Sequence, residues 1–394
     1  MKNIFPGYYK KTEDEIAKMW QNGLLCFDAN VLLNLYRYSN ETRNELISLI
    51  EKLSDKICLP HQAALEYNRN RYEVIADQEK IYKEFILKLN QIEKDLKSTS
   101  KPPFLSKKNH NAMQKVFSNV NSEVEESIDK YCNYLKKDEI FDKVSTVFKG
   151  KITKPFSDSE MEDIFKEGVK RYEMKQPPGY EDEKTKKDNR KYGDLILWKQ
   201  IIQVAKEKKI PIILITDERK EDWWWKIKDG RNMGPRHELV NEIKQEADVD
   251  FHMYSSERFM SYGVRYLKEQ VNKKVIEELQ EMARTERLLI SRKKMIMERR
   301  LTEQKVLERE GFEKIKLIED EINHLKDRIN SLRHEIEIFK NVPSLKQGIQ
   351  EQMIEYSIVR QNMEDKLQML LKEREYLLDK YKREPLKGFG FDGK

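Results

Sequence analysis

The sequence predicts an α/β protein built on a parallel sheet, carrying a helical insertion and followed by a long helical hairpin. Three observations predict it. Short apolar runs lie at LLCFD (24–28), KICLP (56–60) and IPIILIT (210–216), with stretches of helical period between them. That order, strand then helical crossover then strand, belongs to parallel sheets. Residues from about 75 to 175 are polar, Lys-rich and helical in period, which reads as an insertion between strands. From Ile315 onward apolar residues keep a 3-4-3-4 spacing, the mark of a coiled-coil seam.

The elements follow in chain order. Thr12 with Glu15 forms a TxxE capping box, so a short helix starts there and stops near Gly23. LLCFD is too short for a helix and wholly apolar before its acid, so it reads as a buried strand. NVLLNLYRYS leads into a helix over Glu41–Leu53, with Ser39 or Asn40 as its cap. KICLP is a second strand stopped by Pro60, and a helix carrying HQAALEYNRNR begins at once. Within the insertion KSTSKPPF (97–104) reads as a loop, and Ser157 with Glu160 as another capping box. QPPGYEDEKTKKDNRKYG (176–193) is a loop long enough to suggest function. GDLILWKQIIQVAKEKK is an amphipathic helix, IPIILIT a buried strand, and WWWKIKD with ELVNEIKQEA one or two more helices ending near residue 260.

The heptad stripe runs Ile315, Ile318, Ile322, Leu325, Ile329, Leu332, Ile336, Phe339. Residues Asn341–Ser344 break it, and a second stripe runs Met353, Tyr356, Met363, Leu367, Leu370, Leu377, Tyr381, with Arg360 and Arg374 in two apolar slots. A short break between two such helices predicts an antiparallel hairpin whose second arm spans roughly 55–60 Å. Gly311 marks a joint in the first arm. The expected domains are 1–260 with the insertion, 261–384 as the hairpin, and a loose tail at 385–394.

Composition narrows the function. Charged residues make up 37%, well above the usual quarter, which fits long solvated helices. A net charge of +6 is too small to argue for nucleic acid by itself. No run of about 18 apolar residues occurs, which argues against a membrane span. The first residues lack an apolar signal region, so a cytoplasmic setting is expected. Cys26, Cys58 and Cys132 are far apart and form no CxxC, so a disulfide scaffold or thiolate zinc site is not expected. GxxxxGK[ST] and GxSxG are both missing, and FDAN lacks the second Asp of a DxD phosphatase.

Four acids stand out by position. Asp28 and Asp217 end buried strands, Glu66 lies early in the helix after the second strand, and Asp194 opens the helix after the long loop. In parallel sheets ligands collect at the carboxyl ends of strands. Grouped carboxylates repel unless a cation sits among them, and hard oxygen donors suit Mg²⁺ or Mn²⁺. Taken singly, each acid is more often a turn residue or helix cap. Asn30 has two equal readings, orienting Asp28 or a metal-bound water, and closing a turn. Lys220 is placed to meet a phosphate or to be a solvated lysine. Of Trp223, Trp224 and Trp225, one or two should be core, since three consecutive aromatics cannot share a helix face.

FDANVLLNLYRYS, LPHQAALEYNRNR, PPGYEDEKTKKDNRKYGDLILWKQII and IPIILITDERKEDWWW, in that order, resemble the PIN-like nuclease family, in its bacterial branch with a helical insertion and a Trp-rich segment. The resemblance covers about 24–240 apart from most of the insertion. It implies a three-layer α/β/α sandwich and metal-dependent cleavage of RNA, favoured over DNA. It places the family's acids on Asp28, Glu66, Asp194 and Asp217, and its Asn on Asn30. Glu218 stands where many relatives carry a second Asp. Asp182 and Lys184, in the PPGYEDEK loop, are expected at the site edge. By analogy with the family, a bacterial toxin or antiphage effector is the expected setting. A catalytically silent nucleic-acid-binding or scaffold protein is the competing reading. The hairpin is expected to form a homo-oligomer or hold a protein partner.

Overall fold

The computed structural model describes residues 1–2, 4–97, 105–184, 186, 188–268, 272–340 and 347–383. Residues 98–104 of the expected loop at 97–104, the break at 341–344 and the tail at 385–394 lie outside the described residues. Compact units divide between Arg284 and Thr285, later than the expected boundary at 260.

The first unit is built on four parallel strands, β1 (Leu24–Phe27), β2 (Ile57–Cys58), β3 (Ile212–Ile215) and β6 (Phe251–Tyr254), in the order β2-β1-β3-β6. Register pairs Leu24 with Ile212 and Ile212 with Phe251. Alternate residues therefore face opposite sides of the sheet. On one side Phe251 packs edge-on to Trp198 of α8 (Gly193–Lys208). On the other, Tyr254 and Phe259 pack against Trp20 of α1 (Glu13–Asn22), and Phe27 meets Phe259 of α10 (Ser256–Leu267). Helices on both faces make the three layers.

Both expected capping boxes are present, Thr12 with Glu15 and Ser157 with Glu160. Asp28 caps the short α2 (Ala29–Asn34), and Ser39 caps α3 (Asn40–Lys52). The helix after β2, α4 (His61–Leu96), runs straight into the insertion and pairs with α5 (Lys107–Tyr134). Pro60 offers no side-chain cap, so Thr153 Oγ1 and Gln200 Oε1 accept the first N–H groups of α4 at 2.8 Å each. The insertion closes with α6 (Glu139–Val147) and α7 (Asp158–Glu173). It is tied back by Tyr36, whose hydroxyl donates to Asp138 (2.7 Å) and whose carbonyl accepts from Tyr131 (2.8 Å).

The region after β3 departs from the expected helices. Trp224–Lys226 is strand β4, paired antiparallel with β5 (Asn232–Pro235). Adjacent bulky aromatics suit a pleated strand, which sends neighbours to opposite sides. After α9 (His237–Ala247) comes β6, which the polar His252 disguised in the sequence. The first turns of α11 (Lys273–Lys340) belong to this unit, with Val275 and Leu279 buried and Glu278 accepting from Ser39 and Thr42.

In the second unit α11 and α12 (Gln347–Arg383) form an antiparallel pair. Lys314 meets Glu373, Lys366 meets Glu321, and Arg333 meets Glu364. Ile315 through Ile336 of the expected seam are buried, while the Phe339 side chain lies outside the described residues. Gly311 is no joint. It sits within continuous helix, and a Cβ there would enter the Tyr381 ring.

Candidate active site

The ends of β1 and β3 set the floor of the site. Asp28 Oδ1 accepts from the Ala29 N–H (2.7 Å), as a cap does. Its Oδ2 accepts from Thr216 Oγ1 (2.7 Å) and Asn30 Nδ2 (2.8 Å). Asn30 Oδ1 in turn accepts from the Asp217 N–H (3.0 Å). Asn30 is thus a strap between the two strand ends and fixes Asp28 at the same time.

Glu66 projects from the second turn of α4, and its Oε1 accepts from Gln62 Nε2 (2.6 Å). The start of α8 is pressed against it. A Cβ on Gly193 would lie 2.7 Å from Glu66 Oε1, so any larger residue there displaces that carboxylate from its place beside the start of α8. Asp194 Oδ2 accepts from the indole N–H of Trp223 (3.1 Å). Trp223 is buried against Trp198 and serves as core and as donor together.

The residues after β3 divide. Asp217 turns away to the start of α10, where its carboxylate accepts from Ser256 N–H (2.9 Å) and Ser256 Oγ (2.7 Å), and also from Asn34 Nδ2 (2.8 Å). Glu218 turns toward the other acids. Its Oε1 accepts from the N–H groups of Arg219 (2.7 Å) and Lys220 (3.0 Å). Its Oε2 lies 3.0 Å from Lys220 Nζ.

Lys220 Nζ also lies 2.7 Å from Asp182 Oδ1 and 3.3 Å from Asp194 Oδ2. Asp182 was expected at the edge, yet it is 3% exposed and held by Lys186 as well (2.6 Å). Lys184 ends the short 3-10 turn Tyr180–Lys184, and its side chain lies outside the described residues.

The electrostatics follow from crowding and burial. Burial pushes the Asp28 carboxyl up to about 8; the Thr216 hydrogen bond opposes this, and the charges of Glu66, Asp194 and Glu218 add to it. Burial and then Asp194 raise Glu66. Burial raises Asp194 too, outweighing the ammonium of Lys220. Burial pulls Lys220 down, but Asp194, Glu218 and Asp182 together hold it above an ordinary lysine. Asp28, Glu66, Asp194 and Glu218 therefore share one electrostatic neighbourhood.

Two residues that shape this site escaped the sequence. Asp222 is fully buried, and its Oδ2 accepts from the N–H groups of Gly179 (2.9 Å) and Glu181 (3.2 Å), which clamps the loop carrying Asp182. Burial, and then Asp194, push its carboxyl up to about 6. Its only sequence signal is an acid next to a Trp run. Arg171 supports the same loop from α7, donating to Glu242 twice (2.7 Å each) and to the Pro177 carbonyl (2.5 Å).

Among the described residues no three His, Cys, Asp or Glu side chains are already set to hold a metal ion. The donor chemistry nevertheless fits a hard divalent cation, since the group is all carboxylate oxygen and its members are desolvated together. No described helix is long and apolar enough to cross a membrane.

No curated protein and no solved structure matches the chain. A family model described as a PIN like domain matches residues 24–239, more than half of the chain and every segment that builds the site up to α9. The chain belongs to the PIN-like domain family, whose fold is of nuclease type.

Proposed function

We propose that the protein is a metal-dependent nuclease that hydrolyses phosphodiester bonds, RNA before DNA. The observation that carries this reading is that Asp28, Glu66, Asp194 and Glu218, from four separate segments, share one electrostatic neighbourhood in which burial raises the first three. Burying like charges together is costly and needs a use that repays it. Asp28, Glu66, Asp194 and Glu218 would hold Mg²⁺ or Mn²⁺, and a bound ion would supply activated water and charge stabilisation at phosphorus. Asp217, expected in that set, acts in our reading by anchoring the β3 end to α10 so that Glu218 faces inward.

The chain's own residues do the positioning. Asn30 and Thr216 orient Asp28, Gln62 orients Glu66, and Trp223 orients Asp194. Asp222 holds the loop that brings Asp182 to Lys220. The preference for RNA and a toxin or antiphage setting rest on family analogy. For the hairpin we propose self-association or a protein partner.

The test is cleavage of end-labelled single-stranded RNA, single-stranded DNA and structured duplexes with Mg²⁺, Mn²⁺ or EDTA. Asp28→Asn and Asp194→Asn should each lower cleavage by more than about a hundredfold, beyond what outer-shell changes cost a metal site. Their circular dichroism should match the parent. Unchanged turnover in both variants sinks the proposal, and binding without cleavage on every substrate favours the scaffold reading.

A further inference from the structure

The nuclease reading leaves Lys220 unexplained. A lysine ammonium has three N–H donors and no acceptor. Here three carboxylates surround it, Asp182 at 2.7 Å, Glu218 at 3.0 Å and Asp194 at 3.3 Å. They come from three different parts of the chain: the loop after α7, the residues after β3, and the start of α8. All three donors are engaged within the site, so the ammonium is not free to serve as a phosphate hook.

The partners are divided between two sides. Asp182 gives one oxygen to Lys220 and the other to Lys186. Glu218 gives one oxygen to Lys220 and the other to two backbone N–H groups. Asp194 receives both Lys220 and Trp223 on Oδ2 alone. Asp28 and Glu66 make no ion pair with Lys220.

We propose that Lys220 is a built-in cation that takes the place of a second metal ion, so that the site binds a single divalent ion. This rests on the nuclease reading and deepens it. Asp28, Glu66 and the Oδ1 of Asp194 hold that one ion, and Glu218, with both oxygens engaged, borders it. Asp182 is then a positioning residue for Lys220, which explains a buried carboxylate away from Asp28. The point charge of an ammonium suits this role, whereas the planar fork of Arg spreads its charge and its donors.

The experiment counts Mn²⁺ bound to the full-length protein by isothermal titration calorimetry and, independently, by the electron paramagnetic resonance of free Mn²⁺. The parent is expected to bind one Mn²⁺ per chain. Lys220→Met, which keeps the stem and removes the charge, is expected to bind two. Lys220→Arg is expected to stay at one. Thermal melting of each variant reports folding, and a parent stoichiometry of two overturns the inference even where a variant does not fold. Two Mn²⁺ per parent chain overturn this inference and leave the nuclease reading intact. One Mn²⁺ in both the parent and a folded Lys220→Met also overturns it. No Mn²⁺ in the parent, with no cleavage, overturns both.

Discussion

At Asp28 the fold accepts three hydrogen bonds onto one carboxyl and still holds it up to about 8. An unfolded aspartate loses its proton near 4. Between about 4 and 8 the folded chain therefore keeps a proton that the unfolded chain has lost, and stability falls as pH rises through that window. Asparagine carries no such penalty. Asp28→Asn should raise the melting temperature at pH 8 and raise it much less at pH 5, both in EDTA. Scanning calorimetry at the two pH values checks this, and equal shifts would contradict it. Asp217 and Glu218 separate on the same logic. Glu218→Gln should cost cleavage at least about tenfold with little change in melting, if it is a ligand. Asp217→Asn should mainly lower the melting temperature, because its oxygens serve Ser256 and Asn34. Steady-state cleavage beside thermal melts of both variants separates the two roles.

At the scale of elements, Gly311 offers a test with an unusual sign. Replacing a mid-helix glycine by alanine ordinarily stabilises by roughly 0.5–1 kcal/mol. Here the added methyl meets the Tyr381 ring, so Gly311→Ala should destabilise the hairpin. Combined with Tyr381→Ala it should recover, a non-additive cycle readable by helical circular dichroism on heating.

Elements were legible where local chemistry decides them. The capping boxes, the strands ending at Asp28 and Asp217, and the heptad seam all announce themselves within a few residues. What escaped depends on partners far away in sequence. His252 hid β6 because its place opposite Ile213 is set by the sheet and not by its neighbours. The Trp run reads as helix only until β5 is there to pair with it. Asp194 and Glu66 were visible as acids, but nothing local shows that Gly193 brings the start of α8 against the Glu66 carboxylate. Nor could Asp217 be seen to turn away, since Ser256 captures it from across the unit.

At the scale of the whole molecule, the first unit extends to Arg284 because the opening turns of α11 pack on it. Val275 and Leu279 are buried there, and each fully buried aliphatic side chain is worth about 1.5–3 kcal/mol. A chain ending at 284 should melt cooperatively, and one ending at 272 should melt roughly ten degrees lower, which calorimetry of the two fragments measures.

The central pairing of the sheet has a temporal side as well. The hydrogen bond that joins Thr216 to Asp28 spans 188 residues of chain. A ribosome adding about 5–20 residues per second needs on the order of ten to forty seconds to travel that far. Throughout that interval β1 has emerged without β3, and Asp28 without Glu218. The group of acids at the strand ends is thus complete only when nearly the whole first unit is made.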